Sequence, residues 1–180
     1  MNKLALALLV TVGVGYAVWQ EPKDSAAVIA EAVQKPEVGY LAPHFSLTGL
    51  DNQVYKVEGK RNKPVILNFW ASWCGPCRLE APDLQKLYEK YKDEIDVYGI
   101  NVTSNDSPEA ASAFVQTYKL TFPIPMDVAG TVSNRYLIQA FPTTYVVDTQ
   151  GVVRKKIIGM IDAGTLELEL RKLLAEKRSR

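Results

Sequence analysis

The residues best suited to chemistry in this 180-residue chain are its only two cysteines, Cys74 and Cys77. Gly75 and Pro76 separate them. Two thiols at this spacing can cycle between a dithiol and a disulfide, and the thiolate is the form that attacks. The pair predicts a redox centre whose working group is the Cys74–Cys77 disulfide itself, with no bound cofactor and no metal.

The surrounding sequence places Cys74 at a junction between two elements. Residues 65–70 form a short apolar run rich in β-branched and aromatic side chains, which predicts a buried strand, and a helical pattern follows over residues 75–91. A helix N-terminus offers unpaired N–H groups and a positive dipole end, and it lowers a cysteine pKa. We therefore expect Cys74 to be the attacking thiolate. Cys77, one turn further along and more buried, would resolve the mixed disulfide.

Three other interpretations of the cysteine pair stay open. A zinc site needs about four ligands, whereas the chain offers these two thiols and a single histidine, His44. A purely structural disulfide across so short a loop would constrain little of the unfolded chain. Two inert thiols would fit the preference of free cysteine for protein interiors.

The run Trp73-Cys74-Gly75-Pro76-Cys77 resembles the active site of the thioredoxin superfamily. Upstream, residues 39–47 resemble a segment shared by peroxiredoxins and by the membrane-anchored, extracytoplasmic thiol-disulfide oxidoreductases of the ResA and TlpA type. The anchored oxidoreductases fit better, and the resemblance covers residues 37 to 178. It implies an α/β fold: a thioredoxin-like three-layer sandwich with a central mixed sheet flanked by helices, an N-terminal hairpin and one inserted helix.

Local patterns predict the elements that would position this site. The other strands are expected over residues 45–47, 54–57, 95–102, 143–148 and 152–158. The other helices are expected over residues 108–118, over residues 131–136 and after Asp162. Within the helix that follows Cys74, we expect Pro82 to bend the axis and Leu79, Leu84 and Leu87 to form the buried stripe.

The resemblance adds a second loop to the site, at Phe141-Pro142-Thr143. These residues resemble the superfamily's proline loop, in which the X-Pro bond is cis, although only about 5% of X-Pro bonds in folded proteins are cis. A cis Pro142 would present the backbone of Phe141 to an extended client segment, which would pair there like an added strand. The expected client-binding residues are these three together with Trp73, Gly75 and Pro76.

Glu80 is the third candidate catalytic residue, three positions after Cys77. From its spacing alone, Glu80 would be a solvent-exposed residue on the helix. The resemblance instead implies that Glu80 matches the glutamate found at this position in the ResA-like branch. Turned toward Cys77, it would be buried, which would raise its pKa and let it exchange a proton with the thiol. Asn68 favours this interpretation, because thioredoxin has a titratable aspartate at the matching strand position and Asn68 cannot titrate.

The N-terminal region has the pattern of a membrane anchor. Residues 4–19 form an uncharged run after Lys3, and as a helix they would extend about 24 Å against about 30 Å of hydrocarbon. We expect a signal anchor over residues 1–19, a tether over residues 20–38 and a thioredoxin-like domain over residues 39–180. A cleaved signal peptide has the same pattern. Either outcome places the domain outside the cytoplasm.

The predicted function is a thiol-disulfide oxidoreductase that reduces disulfides of secreted or membrane proteins. The resemblance implies apocytochrome c before haem attachment as a client and a membrane-embedded thiol transporter as electron donor. A net charge of +1 gives no indication of nucleic-acid binding, and we expect a monomer. The alternatives are a disulfide oxidase or isomerase, a thiol peroxidase, and a tethered binding module with an inert disulfide.

Overall fold

The computed structural model describes residues 33–178. The predicted anchor and most of the predicted tether lie outside these residues. Within the described part of the chain, no helix is long and apolar enough to cross a membrane.

Between residues 33 and 178, six strands form two sheets. The strands are β1 (Phe45–Thr48), β2 (Val54–Val57), β3 (Val65–Trp70), β4 (Asp96–Asn101), β5 (Thr143–Val147) and β6 (Val153–Ile158). The first two pair as an antiparallel hairpin, and the other four form a mixed sheet in the order β4-β3-β5-β6. The predicted hairpin and sheet are thus both present, and the ends of their strands differ from the expected ones by at most one residue.

The helices of the described region are α1 (Gly75–Tyr91), α2 (Pro108–Tyr118), α3 (Thr131–Arg135) and α4 (Ala163–Arg178). Helix α2 is the inserted helix, and it begins with Pro108 after a Ser107 N-cap, whose hydroxyl accepts from the N–H of Ala110. This cap satisfies one of the N–H groups that a helix start leaves unpaired. The predicted capping therefore decides where the inserted helix begins.

Strand β3 is the centre of the domain, since all six of its residues are buried. It pairs in parallel with β4 and antiparallel with β5, and this register places Asn68 opposite Gly99 on one side and Thr144 on the other. Side chains alternate between the two faces of a strand. Asn68 therefore shares a face with Ile66 and Trp70, on the side of the sheet where α1 packs.

Two apolar cores lie on the two faces of the sheet. One core joins Ile66 and Trp70 of β3 to buried side chains of α1, α2 and α4. The other joins Leu67 and Phe69 to the N-terminal hairpin and to Tyr136, whose ring is fully buried. Because helices cover one face and the hairpin and α3 cover the other, β3 is shielded from water on both sides, which explains its uninterrupted apolar run.

The predicted apolar stripe of α1 is wrong at one position. Leu84 and Leu87 are buried, whereas 70% of the Leu79 side chain is exposed. The buried face of the helix runs through Cys77 and Ala81, and Leu79 follows Cys77 by two residues, which is roughly 200° round an α-helix. Leu79 therefore projects to solvent from the face opposite the sheet.

Candidate active site

Cys74 and Cys77 form a disulfide at the start of α1, with a sulfur-to-sulfur distance of 2.08 Å. Cys74 is the N-cap of the helix, and its Sγ accepts from the N–H of Cys77 at 3.1 Å. Pro76 lies in the first turn, where the missing proline N–H would have no helical partner. The sequence places the first sulfur at the helix start, as predicted.

The two cysteines do not differ in burial. Cys74 is 3% exposed and Cys77 is 4% exposed, so the expectation that Cys77 is the more buried of the pair is wrong for the disulfide form. The two cysteines differ in their surroundings, because Cys74 caps the N-terminus of α1 whereas Cys77 lines a small cavity.

The outer side of the site brings together the two loops that the sequence singled out. Trp73 is 58% exposed, and its ring meets the ring of Phe141 at 5.7 Å in an edge-to-face arrangement. Gly75 and Pro76 are exposed beside it. The Phe141–Pro142 peptide bond is cis, as the resemblance implied. The cysteine motif and the proline loop thus form one continuous surface.

Pro142 and Thr143 are both buried, unlike Trp73, Gly75 and Pro76. The hydroxyl of Thr143 donates to the carbonyl of Ala140 within the same loop. The hydroxyl is therefore used to fix the proline loop and does not face outward. The backbone of Thr143 is paired with Phe69 on one side and Ile158 on the other, so its prediction as a client contact finds no support in this placement.

The inner side of the site is organised around Glu80, which is 5% exposed. Its Oε1 accepts from the side-chain amide of Asn68 at 2.7 Å, and its Oε2 accepts from the N–H of Ile161 at 3.1 Å. The same amide of Asn68 donates to the hydroxyl of Thr144 at 2.9 Å. Glu80 therefore points into the protein, and two donors from the central strand and from the segment before α4 fix its carboxyl group.

Glu80 and Cys77 line the same small cavity, which has a volume of about 10 Å³. Asn68 and Trp70 are its other polar lining residues, and apolar side chains close it: Ala81, Leu84, Phe114, Leu120 and Phe122. The indole Nε1 of Trp70 is the one buried side-chain nitrogen or oxygen without a hydrogen-bond partner in the described part of the chain. A space of this size holds about one water molecule.

Burial raises the pKa of Glu80 to about 7, even though the hydrogen bonds from Ile161 and Asn68 act in the opposite direction. Removing a carboxylate from water disfavours its charged form. A group that titrates near neutrality can both accept and donate a proton under ordinary conditions. The inner side of the site therefore holds a carboxyl group of near-neutral pKa in the cavity that Cys77 also lines.

The turn before Cys74 is bonded to a segment that sequence reasoning did not connect with the site. The carboxylate of Asp106 accepts from both the N–H and the hydroxyl of Ser72, each at 2.6 Å. The carbonyl of Asn105 accepts from the indole of Trp73 at 2.8 Å. An Asp-Ser pair before a proline indicates a helix start, but no local pattern indicates a contact with Ser72, which lies 34 positions earlier.

Residues 38–156 match the family model described as the AhpC/TSA family. The chain belongs to the AhpC/TSA family. It is 35% identical over 175 residues to the thioredoxin-like protein YneN of Bacillus subtilis, covering 94% of this chain and 98% of YneN. It is 34% identical over 143 residues to the thiol-disulfide oxidoreductase ResA of Bacillus cereus, covering 78% of this chain and 80% of ResA.

Solved structures of this family's relatives have the same fold. A thiol:disulfide interchange protein DsbE from Chlorobium tepidum superposes with a TM-score of 0.70 at 30% identity, covering 77% of this chain and 98% of DsbE. StoA from Bacillus subtilis gives a TM-score of 0.63 at 28% identity, covering 70% of this chain and 95% of StoA. The thioredoxin-like fold and the kinship with ResA-type proteins are confirmed, and this AhpC/TSA-family protein is a thiol-disulfide oxidoreductase.

Proposed function

We propose that this protein reduces disulfides in extracytoplasmic client proteins, with Cys74 as the attacking thiolate and Cys77 as the resolving thiol. The observation that carries the proposal is the division of the pair between two environments. Cys74 caps α1 and follows Trp73, whereas Cys77 lines a small cavity with a carboxyl group of near-neutral pKa. Cys74 directly follows a residue of the proposed client-binding surface, and Cys77 shares a cavity with the proposed proton acceptor.

The chemistry balances as two successive exchanges. The Cys74 thiolate attacks one sulfur of the client disulfide, forms a mixed disulfide and releases one client thiolate. The Cys77 thiolate then attacks Cys74, which releases the second client thiolate and forms the Cys74–Cys77 disulfide. Two electrons pass to the client, whose thiolates take up two protons. Since Cys77 attacks as a thiolate, its own proton must leave before the second step.

Glu80 is the group proposed to accept that proton. Its carboxyl group and Cys77 line the same cavity, and a cavity with room for about one water molecule lets a proton pass without direct contact between carboxyl and thiol. Asn68, at the position where thioredoxin has an aspartate, donates to Glu80 and does not itself titrate. Glu80 is therefore the proposed proton acceptor in this chain.

The client is proposed to bind across the surface that Trp73 and Phe141 share. Gly75 and Pro76 lie exposed beside it, and the backbone next to the cis Pro142 suits an extended segment that adds as a strand. Main-chain pairing of this kind accepts varied sequences, because the hydrogen bonds come from the backbone. Such a surface fits an enzyme with several unfolded or extended clients.

The location and partners of the protein are proposed from the sequence. Residues 4–19 would anchor a monomer in the membrane with its catalytic domain outside, where a membrane-embedded thiol transporter would supply electrons. Apocytochrome c before haem attachment is the proposed client class. The working group is the Cys74–Cys77 disulfide, and no further cofactor is proposed.

A trapping experiment tests the proposal. A Cys77→Ala variant of the full chain, expressed in its host, cannot resolve the mixed disulfide and should accumulate clients on Cys74, identifiable by mass spectrometry after thiol-blocked extraction. The matched Cys74→Ala variant should trap far less. If clients accumulate on Cys77 instead, or if only cytosolic proteins are recovered, the proposed roles or the proposed location are wrong.

The direction of electron flow needs its own measurement. Thioredoxin, a reductant with the same Gly-Pro dipeptide, lies at about −270 mV, whereas the oxidant DsbA lies at about −120 mV. Equilibration of the Cys74–Cys77 couple against glutathione should give a value near that of thioredoxin. A value near that of DsbA, together with failure of the dithiol form to reduce protein disulfides, would make the protein an oxidase.

A further inference from the structure

Asn105 and Asp106, in the segment before α2, accept hydrogen bonds from Trp73 and Ser72, in the turn before Cys74. Asp106 binds Ser72 through both carboxylate oxygens, Oδ2 to the N–H and Oδ1 to the hydroxyl. Its neighbour Asn105 accepts the indole N–H of Trp73 on its carbonyl oxygen. The contact thus fixes the backbone of the turn at one residue and the orientation of the side chain at the next.

Asp106 uses its remaining acceptor capacity to anchor itself. Oδ2 also accepts from the side-chain amide of Asn101 at the end of β4, at 2.8 Å, and Oδ1 also accepts from the N–H of Ser107 at the start of α2, at 2.9 Å. Burial alone would raise the pKa of Asp106, but the bonds from Ser72 and Asn101 outweigh it and lower the pKa. The carboxylate is therefore charged at neutral pH and joins three elements of the fold.

We propose that Asp106 is a positioning residue for thiol-disulfide exchange, which holds the turn of residues 71–73 so that Cys74 stays at the start of α1 and Trp73 stays against Phe141. Asp106 acts directly through Ser72 and, by way of its neighbour Asn105, through Trp73. The role goes beyond the proposed client and location, since it concerns the exchange reaction itself.

The turn has few local bonds to keep its shape without this contact. The N–H of Cys74 donates to the carbonyl of Ala71 at 3.1 Å, and the guanidinium Nε of Arg78 donates to the carbonyl of Ser72 at 3.1 Å. The N–H and the hydroxyl of Ser72 both point to Asp106. Since the sulfur bond breaks and re-forms in every cycle, the turn needs support that does not depend on the disulfide, and Asp106 supplies it.

A carboxylate suits this position better than an amide. Four donors converge on the two oxygens, and a carboxylate offers about four lone-pair sites whereas an amide has one acceptor oxygen and an NH₂ group that only donates. In Asp106→Asn, the NH₂ group would face the N–H of Ser72 and the amide of Asn101 on the Oδ2 side, or the N–H of Ser107 on the Oδ1 side, where the Ser72 hydroxyl can turn to accept. The substitution preserves size and, in either orientation, places at least one N–H donor against the NH₂ group, which weakens the contact with the turn.

The test is the rate of exchange between the reduced protein and a short peptide containing a disulfide. Asp106→Asn should lower the second-order rate constant at Cys74 by roughly tenfold, a factor that corresponds to about 1.4 kcal/mol. Trp73→Phe should lower it as well. Because Asp106 acts partly through Trp73, the rate constant of the Asp106→Asn, Trp73→Phe double variant should fall by less than the product of the two single fold-changes.

Asp148→Asn is the matched control, because Asp148 is another carboxylate with several donors. It accepts from the N–H groups of Gln150 and Val152 and from Arg154, and it follows the end of β5 away from Pro142. This substitution should destabilise the fold without changing the exchange rate constant. Equal rate losses in both variants would mean that Asp106 is merely structural and would overturn the proposal.

A milder variant keeps the proposal testable if Asp106→Asn does not fold. Ser72→Ala removes only the hydroxyl bond to Oδ1 and leaves the backbone bond to Oδ2. It should give a smaller loss of rate in the same direction, and that loss should be less than additive with the loss in Trp73→Phe. An exchange rate unchanged in Ser72→Ala and fully additive losses with Trp73→Phe would contradict positioning by Asp106.

Discussion

The side-chain amide of Asn68 donates a hydrogen bond to Glu80, with a distance of 2.7 Å from Nδ2 to Oε1, and both residues are buried. The bond joins the central strand to the active-site helix at the level of the Cys77 cavity. A donor to the carboxylate favours the charged form, whereas burial favours the neutral acid. Asn68 therefore keeps the pKa of Glu80 near neutrality and prevents a larger rise.

Removing this amide should raise the pKa of Glu80 above about 7. In Asn68→Ala the carboxylate loses one of its two donors while its burial remains, so the neutral acid becomes more favoured. Carbon-13 NMR of the glutamate carboxyl groups in the oxidised protein measures the shift. Thr144→Val is the control, because it removes only the other acceptor of Asn68. A lower Glu80 pKa in Asn68→Ala would contradict this assignment.

Replacing Glu80 by glutamine should slow the reduction of a client disulfide. Glutamine cannot accept the proton of Cys77, and a general base contributes a factor of about a hundred or more. In the wild type, the rate of the resolving step should increase with an inflection near pH 7, and Glu80→Gln should lose that inflection. Stopped-flow measurements from pH 5 to 9 report it. Glu89→Gln, exposed on the same helix, should behave like the wild type.

The pH dependence of stability provides a test that does not involve the thiols, since the oxidised protein has none to titrate. Glu80 keeps its proton up to about pH 7 when folded and loses it near its ordinary value of 4.5 when unfolded. Between these values the folded state binds more protons, so the contribution of Glu80 to the free energy of unfolding falls as pH rises.

The size of this effect is roughly 3 kcal/mol between pH 4.5 and pH 8. Urea unfolding of the oxidised wild type and of Glu80→Gln at both pH values measures it as a difference between the two proteins. The wild type should lose more stability on raising the pH than the variant does. Equal pH dependence in the two proteins would mean that the Glu80 carboxyl is not held in its neutral form.

Leu79 and Leu84 of α1 were both predicted to be buried, but replacing each by alanine should have different effects on stability. Leu84→Ala removes a buried side chain from the core and should cost about 2–5 kcal/mol in the free energy of unfolding. Leu79→Ala changes a side chain that is 70% exposed and should cost less than about 0.5 kcal/mol. Urea unfolding of both variants decides the matter, and a large loss in Leu79→Ala would contradict the exposed placement.

The order of elements in the domain follows from local sequence. The buried run of residues 65–70 and the Cys74 N-cap indicate from local sequence where the strand ends and the helix begins, and the Ser107-Pro108 pair does the same for the inserted helix. Periods and caps are short-range signals, since they depend on neighbours within one or two turns. The redox pair and its position were thus predictable from the sequence.

The tertiary structure alone decided which side chains meet. Leu79 and Leu84 are both leucines on one helix, and only the packing of α1 on the sheet places one in water and the other in the core. The same packing brings Glu80 to Asn68, and the end of β4 brings Asp106 to Ser72. These contacts join residues 12 and 34 positions apart, and their geometry is set by long-range packing that no local period encodes. The sequence by itself therefore determined the chemistry of Cys74 and Cys77, while the fold determined which carboxylates lie beside them.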